Sequence, residues 1–361
     1  TGCLGARTGW MPQYLLGVDR AARGPGLAAS QDPDSLYAAT WLYQKDNSYG
    51  EFVFDHEWAD LYDRLGLPYF PKAVTAIPFT PATGSKLLGP PSAWGPLAGE
   101  LLQVAQRQGS SSVHMLFVPD VQRDVMQNAG WALRSGVQFH WRNRNYRDFC
   151  DFLDQLKKKR RKEIVYERRH IDHDLEICCL QGSDLTSEYA DFAFELYHKT
   201  HVEKMSFVCL TREYFQEVFS AMRPHVRFFV ARRTSDHRPV AGALFFCDGK
   251  AMFGRYWGST EERKYLHFEL CYYAPIEHAI KNQWLLVEAG AQGSHKISRG
   301  FLPSLTLSAH YFFIDKIHAA FVKFCDAERQ GLLRAIQEYQ PHLPYQEGND
   351  TLVAGATAGF T

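Results

Sequence analysis

Neither charge of one sign, nor paired cysteines, nor long apolar runs mark this chain. Its 40 Lys and Arg balance 40 Asp and Glu. It therefore lacks the character of a general nucleic-acid coat or a polybasic membrane binder, although a local basic groove stays open. The eight cysteines (Cys3, Cys150, Cys178, Cys179, Cys209, Cys247, Cys271, Cys325) include no C-x-x-C and no Cys/His cluster with zinc spacing. Several sit in apolar runs, where a free thiol behaves as a small hydrophobe. A reducing compartment is the simplest expectation, either the cytoplasm or an organelle interior reached with a transit peptide since removed. No apolar run reaches the ~18–20 residues a membrane span needs. Neither G-x-S-x-G nor a Cys–His pairing supports a hydrolase. The chain opens at Thr1 without Met, a basic leader or an apolar leader, and reads as a fragment in which any signal or transit peptide would be invisible.

What is present is an ordinary globular composition, 45% hydrophobic and 22% charged over 361 residues. At roughly 100–200 residues per domain, that length suggests two domains. Residues 1–33 carry Gly-Pro and Asp-Pro punctuation and read as loop with one short helix. Residues 35–47 read as a strand and 54–66 as a helix closed by Gly66. Residues 71–81 read as an edge or bulged strand because of their prolines. A helix over 96–107, a strand over 113–119, a helix over 121–128 capped by Asp120 and a strand over 132–142 follow. Strand and helix alternate, which predicts an α/β fold.

Residues 146–167 read as one long helix linking the halves, with Phe149, Phe152, Leu153, Leu156, Ile164 and Val165 on its apolar face. Its run KKKRRK (157–162) is either a solvated helix end that complements the macrodipole or a phosphate-binding surface. Glu163 and Glu167 dilute it and favour the former. The second half reads β, α, α, β, β, β, α, β, then a loop and a last helix over 312–339. The expected domains are 1–145 and 146–345, with a disordered tail over 346–361.

Residues 253–310 concentrate the functional signal. A strand ends in Gly254-Arg255-Tyr256-Trp257-Gly258, a helix spans 266–281, and a short strand over 284–288 runs into a glycine-rich loop with His295, Lys296 and Arg299. Polar side chains thus stand just past strand ends, where α/β folds place sites.

Particular stretches carry a resemblance. TGW (8–10), SYGEFVFDHEWADLY (48–62), YFPK (69–72), PFTPATG (78–84), FGRYWG (253–258), the Cys271, Tyr272, Tyr273, Ile276, Glu277, Ala279 and Ile280 set, and EAGAQGSHKISRGF (288–301) are similar to the FemAB-like N-acyltransferases. That group is described by inference as peptidoglycan biosynthesis/recognition. The resemblance implies two tandem GNAT-like domains and direct transfer of an acyl or aminoacyl group to an amine. It implies no permanently bound cofactor, with acyl-CoA or aminoacyl-tRNA as donor. One departure matters. Ordinary GNAT enzymes hold the coenzyme A pyrophosphate on a glycine turn at a helix start. Here that segment is STEERKY (259–265), acidic and without glycine. FemAB-type proteins use aminoacyl-tRNA, which needs basic surface instead.

Acyl transfer to an amine needs a base, oxyanion donors and a means of releasing the leaving group. Glu288, at a strand end, is a candidate base or a carboxylate capping loop N–H groups. His295 titrates near neutrality and is a candidate acid or base. Glu269 either faces the site or pairs with Arg255. Lys296 and Arg299 suit phosphate or carboxylate, or form an exposed basic loop. Arg255, Tyr256, Trp257 and Tyr272 complete the donor side, with His310 and Ser308 weaker members. In the first half Tyr49, Asp55, Trp58 and Lys72 are expected to bind acceptor or to brace the domain interface. His201 and Lys204 read as surface. No residue pattern suggests a metal. The competing reading is a non-catalytic GNAT-like module that binds an amine ligand, tRNA or a protein.

Overall fold

The structure is a computed structural model and describes residues 1–18, 36–290 and 293–346. The tail expected to be disordered lies, from residue 347 on, outside the described residues. Among the described residues the chain divides into two compact units, one of residues 4–137 and 304–337, the other of residues 1–3, 138–303 and 338–346. The crossings at 137/138 and 303/304 fall inside strands, and the one at 337/338 inside the last helix. The sequence reading assigns 304–337 to the second half, whereas these residues join the first unit.

In the first unit the strands run β1 (Met11–Val18), β2 (Leu36–Lys45), β3 (Lys72–Thr75), β4 (Ser112–Met115), then β11 (Leu302–Phe312). All neighbours are antiparallel except β3 and β4. β1 corrects the expectation of loop or helix over 1–33. Its ladder to β2 turns Tyr14 and Leu16 outward, 68% and 61% exposed. Apolar residues on both faces hide the period-two signal. β3 is likewise no edge: all four residues are buried, and Pro71 and Pro78 fall outside it. β11 was expected as loop. It sets Leu305, Leu307 and Ala309 against Ser304, Thr306, Ser308 and His310, with every named residue except Leu305 buried.

Helices α1 (His56–Arg64), α2 (Pro91–Arg107), α3 (Arg123–Asn128) and α10 (Asp315–Glu338) cover this unit. Asp120 does not cap α3; it pairs with Arg123 at 2.5 Å. Trp58 of α1 packs edge-on against Phe321 and Phe324 of α10, ring centroids 4.5 and 5.1 Å apart. Trp58 is thus core.

The second unit orders its strands as the latter part of β5 (Ala132–Arg142), β10 (Leu286–Glu288), β9 (Ala251–Ser259), β8 (Pro239–Cys247), β7 (Val226–Arg233) and β6 (Leu175–Leu180). Only β9 and β10 are parallel. With α6 (Ser187–Glu203) and α7 (Arg212–Ala221) after β6, the order β, α, α, β, β, β, α, β is the one read from the sequence.

Two helices expected to be continuous are broken. The linking helix splits into α4 (Phe149–Asp154) and α5 (Lys158–Arg169). Leu156 bridges to Tyr345, and the Lys157 amide donates to the Pro344 carbonyl at 2.7 Å, so a returning segment takes the backbone groups the helix would need. The later helix consists of α8 (Leu266–Phe268), a π turn over Glu269–Tyr273 and α9 (Ala274–Lys281). Among the described residues no helix is long and apolar enough to cross a membrane.

Candidate functional site

The parallel pairing of β10 covers only Leu286–Glu288 against Ala251–Phe253. β9 runs on to Ser259 along β8, so past Phe253 its other edge has no strand partner among the described residues. Gly254 sits at the fork. A Cβ there would meet the Glu288 carbonyl oxygen at 3.2 Å and Ala289 Cα at 3.4 Å. The β8 register slips between Gly254 and Tyr256, leaving Arg255 as the extra residue of a bulge. Bulges of this kind re-aim side chains beside sites.

Glu288 closes β10 at the register position of His140 on β5. Its Oε1 stands 3.6 Å from His140 Nε2, and both side chains are almost wholly buried. That same nitrogen lies 3.0 Å from Gln138 Oε1, an acceptor, so Nε2 carries the proton and Nδ1 is bare. Burial first, then Arg142 and Lys296, push His140 down to about 3, so the ring is neutral. Lys296 is buried too, donates to the Gly290 carbonyl at 2.7 Å and is pushed down by burial to about 8.

A second group gathers around the π turn. Tyr272 Oη and His295 Nε2 lie 2.8 Å apart, and His295 is exposed. Arg299 stacks its guanidinium 3.4 Å from the Phe268 ring centre, donates to the His295 carbonyl at 2.9 Å and pairs with Glu167 at 2.7 Å. Trp257 packs against His267. Burial, with Arg299 and Lys296, holds His295 below its usual value.

The remaining candidates are engaged elsewhere. Glu269 is a salt-bridge carboxylate, but its partner is Arg168, not Arg255: Arg168 donates to both oxygens at 2.9 and 2.7 Å. Arg255 instead lies against Tyr256, 4.9 Å from its ring centre, and Tyr256 packs on Tyr197.

Tyr49, Lys72 and His310 belong to the first unit. Tyr49 is 67% exposed. Lys72 is wholly buried, pairs with Glu51 at 2.8 Å, contacts Asp55 and donates to Ser48 Oγ at 2.9 Å. Lys45 lies 3.7 Å above the Trp10 ring. His310 Nδ1 is 2.7 Å from His114 Nδ1. Among the described residues no group of three or more His, Cys, Asp or Glu is placed to hold a metal.

The acidic loop after β9 is committed to ion pairs. Glu261 accepts from Arg263 at 2.7 Å and from Arg233, and Arg263 also reaches Asp172 at 2.9 Å.

A family model described as FemAB-like, peptidoglycan biosynthesis/recognition, matches residues 1–347. The chain belongs to the FemAB-like family. At the family level this supports an acyl or aminoacyl transferase. Among solved structures, this FemAB-like protein is similar to FemX (8% identity, 88% of this chain and 91% of that one, TM-score 0.48). It is also similar to L-PGS from Bacillus licheniformis (10%, 81% and 86%, 0.49). A third is a tandem GNAT protein from the clavulanic acid biosynthesis pathway (12%, 78% and 81%, 0.41). No curated protein matches it.

Sequence reasoning missed His140, Gln138, His114 and Tyr69 in this FemAB-like chain. The signal was available on β5, where Arg134, Gln138, His140 and Arg142 alternate with Leu133, Val137, Phe139 and Trp141. A buried strand with one polar face has to satisfy that face from within.

Proposed function

We propose that the protein transfers an aminoacyl group from an RNA-borne ester to an amine, at the fork between β9 and β10, with Glu288 as the proton acceptor. The fork itself carries the reading: two parallel strands part just where a buried carboxylate sits. The open edge of β9 offers backbone N–H groups to a carbonyl oxygen as it gains charge. Glu288 would take the proton of the attacking amine. Neutral His140, bonded to Gln138, would position the carboxylate without charging. Transfer would be direct, since Cys271 is buried and burial pushes its thiol well up, leaving a poor nucleophile.

The donor reading rests on two further observations. Glu261 and Arg263 already occupy each other in the loop where a pyrophosphate cradle would lie, and acidic groups there repel phosphate. On α5, Lys158, Lys159 and Lys162 are exposed and carry no ion pair among the described residues, beside the stacked, exposed Tyr166 and His170. Cations with an aromatic platform suit an RNA backbone and an unpaired base.

The test is binding. Aminoacyl-tRNA should bind with an affinity that falls steeply with salt, and coenzyme A should leave the melting temperature unchanged. Stabilisation by acyl-CoA without tRNA binding would reverse the donor assignment.

A further inference from the structure

The helix that carries the exposed lysines is fastened to the candidate site by its other face. On α5, Lys158, Lys162 and Tyr166 follow at four-residue spacing and are exposed, while Ile164 is buried and Glu167 and Arg168 are half-buried. Glu167 and Arg168 hold the two ends of the π turn. Arg168 donates to both oxygens of Glu269, the first residue of the turn, at 2.9 and 2.7 Å. Glu167 Oε2 accepts from the hydroxyl of Tyr273, the last. Such turns carry an extra residue and recur at functional sites. Tyr272, between those ends, reaches His295.

Arg299 joins the same helix to the glycine-rich loop. Its Nη2 donates to Glu167 Oε1 at 2.7 Å. Its Nη1 donates to the His295 carbonyl at 2.9 Å and to Ser298 Oγ at 3.1 Å. The Phe268 ring covers one face of the guanidinium, its centre 3.4 Å away. Only 9% of the side chain is exposed, so a phosphate would have to displace Glu167 to bind it. Arg299 is the last residue of the Ser294–Arg299 turn. From that turn Lys296 Nζ reaches back to the Gly290 carbonyl, two residues past Glu288, at 2.7 Å. Gly290 stands beside the fork: a Cβ on it would meet the Gly254 carbonyl oxygen at 3.9 Å. Contacts thus run from Glu167 through Arg299 and Lys296 to the fork.

We infer that Arg299 is a positioning residue of the transfer and not a ligand of the donor: with Glu167 it fixes the 294–299 turn, and through Lys296 the loop leaving Glu288, to the helix whose outer face offers the lysines. The planar guanidinium suits this task. It stacks on Phe268 and donates in two directions at once, which a lysine ammonium cannot do. Its pair with Glu167 is largely shielded from water and so from salt. RNA lying on α5 would therefore meet Glu288 at a set distance, and a reacting group displaced by about 1 Å costs about 10²-fold in rate. That the fixed loop serves transfer from RNA rests on the proposed function; the lock itself does not.

Two variants of the full chain separate the roles. Glu167→Ala frees Arg299 from its carboxylate and takes a negative charge off α5. Arg299→Lys keeps the cation but loses the stack and the fork. Both should bind aminoacyl-tRNA within about twofold of the wild type or tighter, and both should transfer at least about tenfold more slowly at saturating tRNA. A donor ligand would behave otherwise: Arg299→Lys would weaken tRNA binding and keep the saturated rate, and that result would overturn the inference. Hydrogen exchange reads the lock without any activity. The amides of Lys296, Gly300 and Phe301, bonded within the turn at 3.1, 3.1 and 3.2 Å, should exchange about tenfold faster in both variants, with those of β7 and β8 unchanged. Wild-type exchange at these three amides in both variants would overturn the inference as well. If the wild type leaves charged tRNA intact, the donor assignment fails, and exchange alone decides the lock.

Discussion

Glu288 and His140 face each other across β10 and β5, with carboxylate and ring nitrogen 3.6 Å apart and both nearly sealed from solvent. If this carboxylate is the proton acceptor, Glu288→Gln keeps volume and hydrogen bonding but removes the base. Turnover should fall about 10²–10⁴-fold. Urea unfolding should show that the variant is folded. Full turnover in this variant would remove Glu288 from the chemistry.

The Lys72 cluster makes a separate claim on stability. Lys72→Met leaves Glu51 and Asp55 buried around an apolar side chain. Losing one partner of a buried ion pair costs about 3–5 kcal/mol, read from the urea midpoint. A loss below about 1 kcal/mol would mean that water reaches the carboxylates.

Acid should weaken the fold well before the carboxylates titrate. His114 and His310 are held far below the ordinary value by burial, and burial pushes His140 down to about 3. Unfolded histidine titrates near 6.5, so below that pH the unfolded chain binds protons that the folded chain refuses. Stability therefore falls with pH, by up to about 1.4 kcal/mol per pH unit for each histidine. Unfolding free energies at pH 7.5, 6 and 5 check this; a flat curve would place these rings in contact with water.

Gly258 closes the FGRYWG motif against α6. A Cβ there would lie 2.9 Å from the Leu196 carbonyl oxygen, and backbone cannot step aside as a flexible side chain can. Gly258→Ala should cost about 1–3 kcal/mol in urea unfolding.

Much of this fold was legible because three strands of the second unit, Val226–Arg233, Pro239–Cys247 and Ala251–Ser259, are long, apolar and bounded by turns. β1 and β11 were not. β1 presents apolar residues on both faces, and β11 buries a row of hydroxyls and a histidine where periodicity expects hydrophobes. Local propensity cannot foresee that a distant segment will interrupt a helix, as residues 344–345 do at Leu156. The candidate site was legible only where polar residues sat near a glycine loop. Glu288 and Lys296 stood out as candidates there, whereas His140 and His114 looked like ordinary strand residues.

Transfer from an RNA-borne ester should pass through Glu288. The direct measurement is a single-turnover assay with labelled aminoacyl-tRNA and a mixture of amines, comparing wild type with Glu288→Gln. The wild type should move the label from tRNA to an amide product, and the variant should bind tRNA equally but transfer at least about 10²-fold more slowly. Charged tRNA left intact by both proteins, with an acyl-CoA consumed instead, would contradict it.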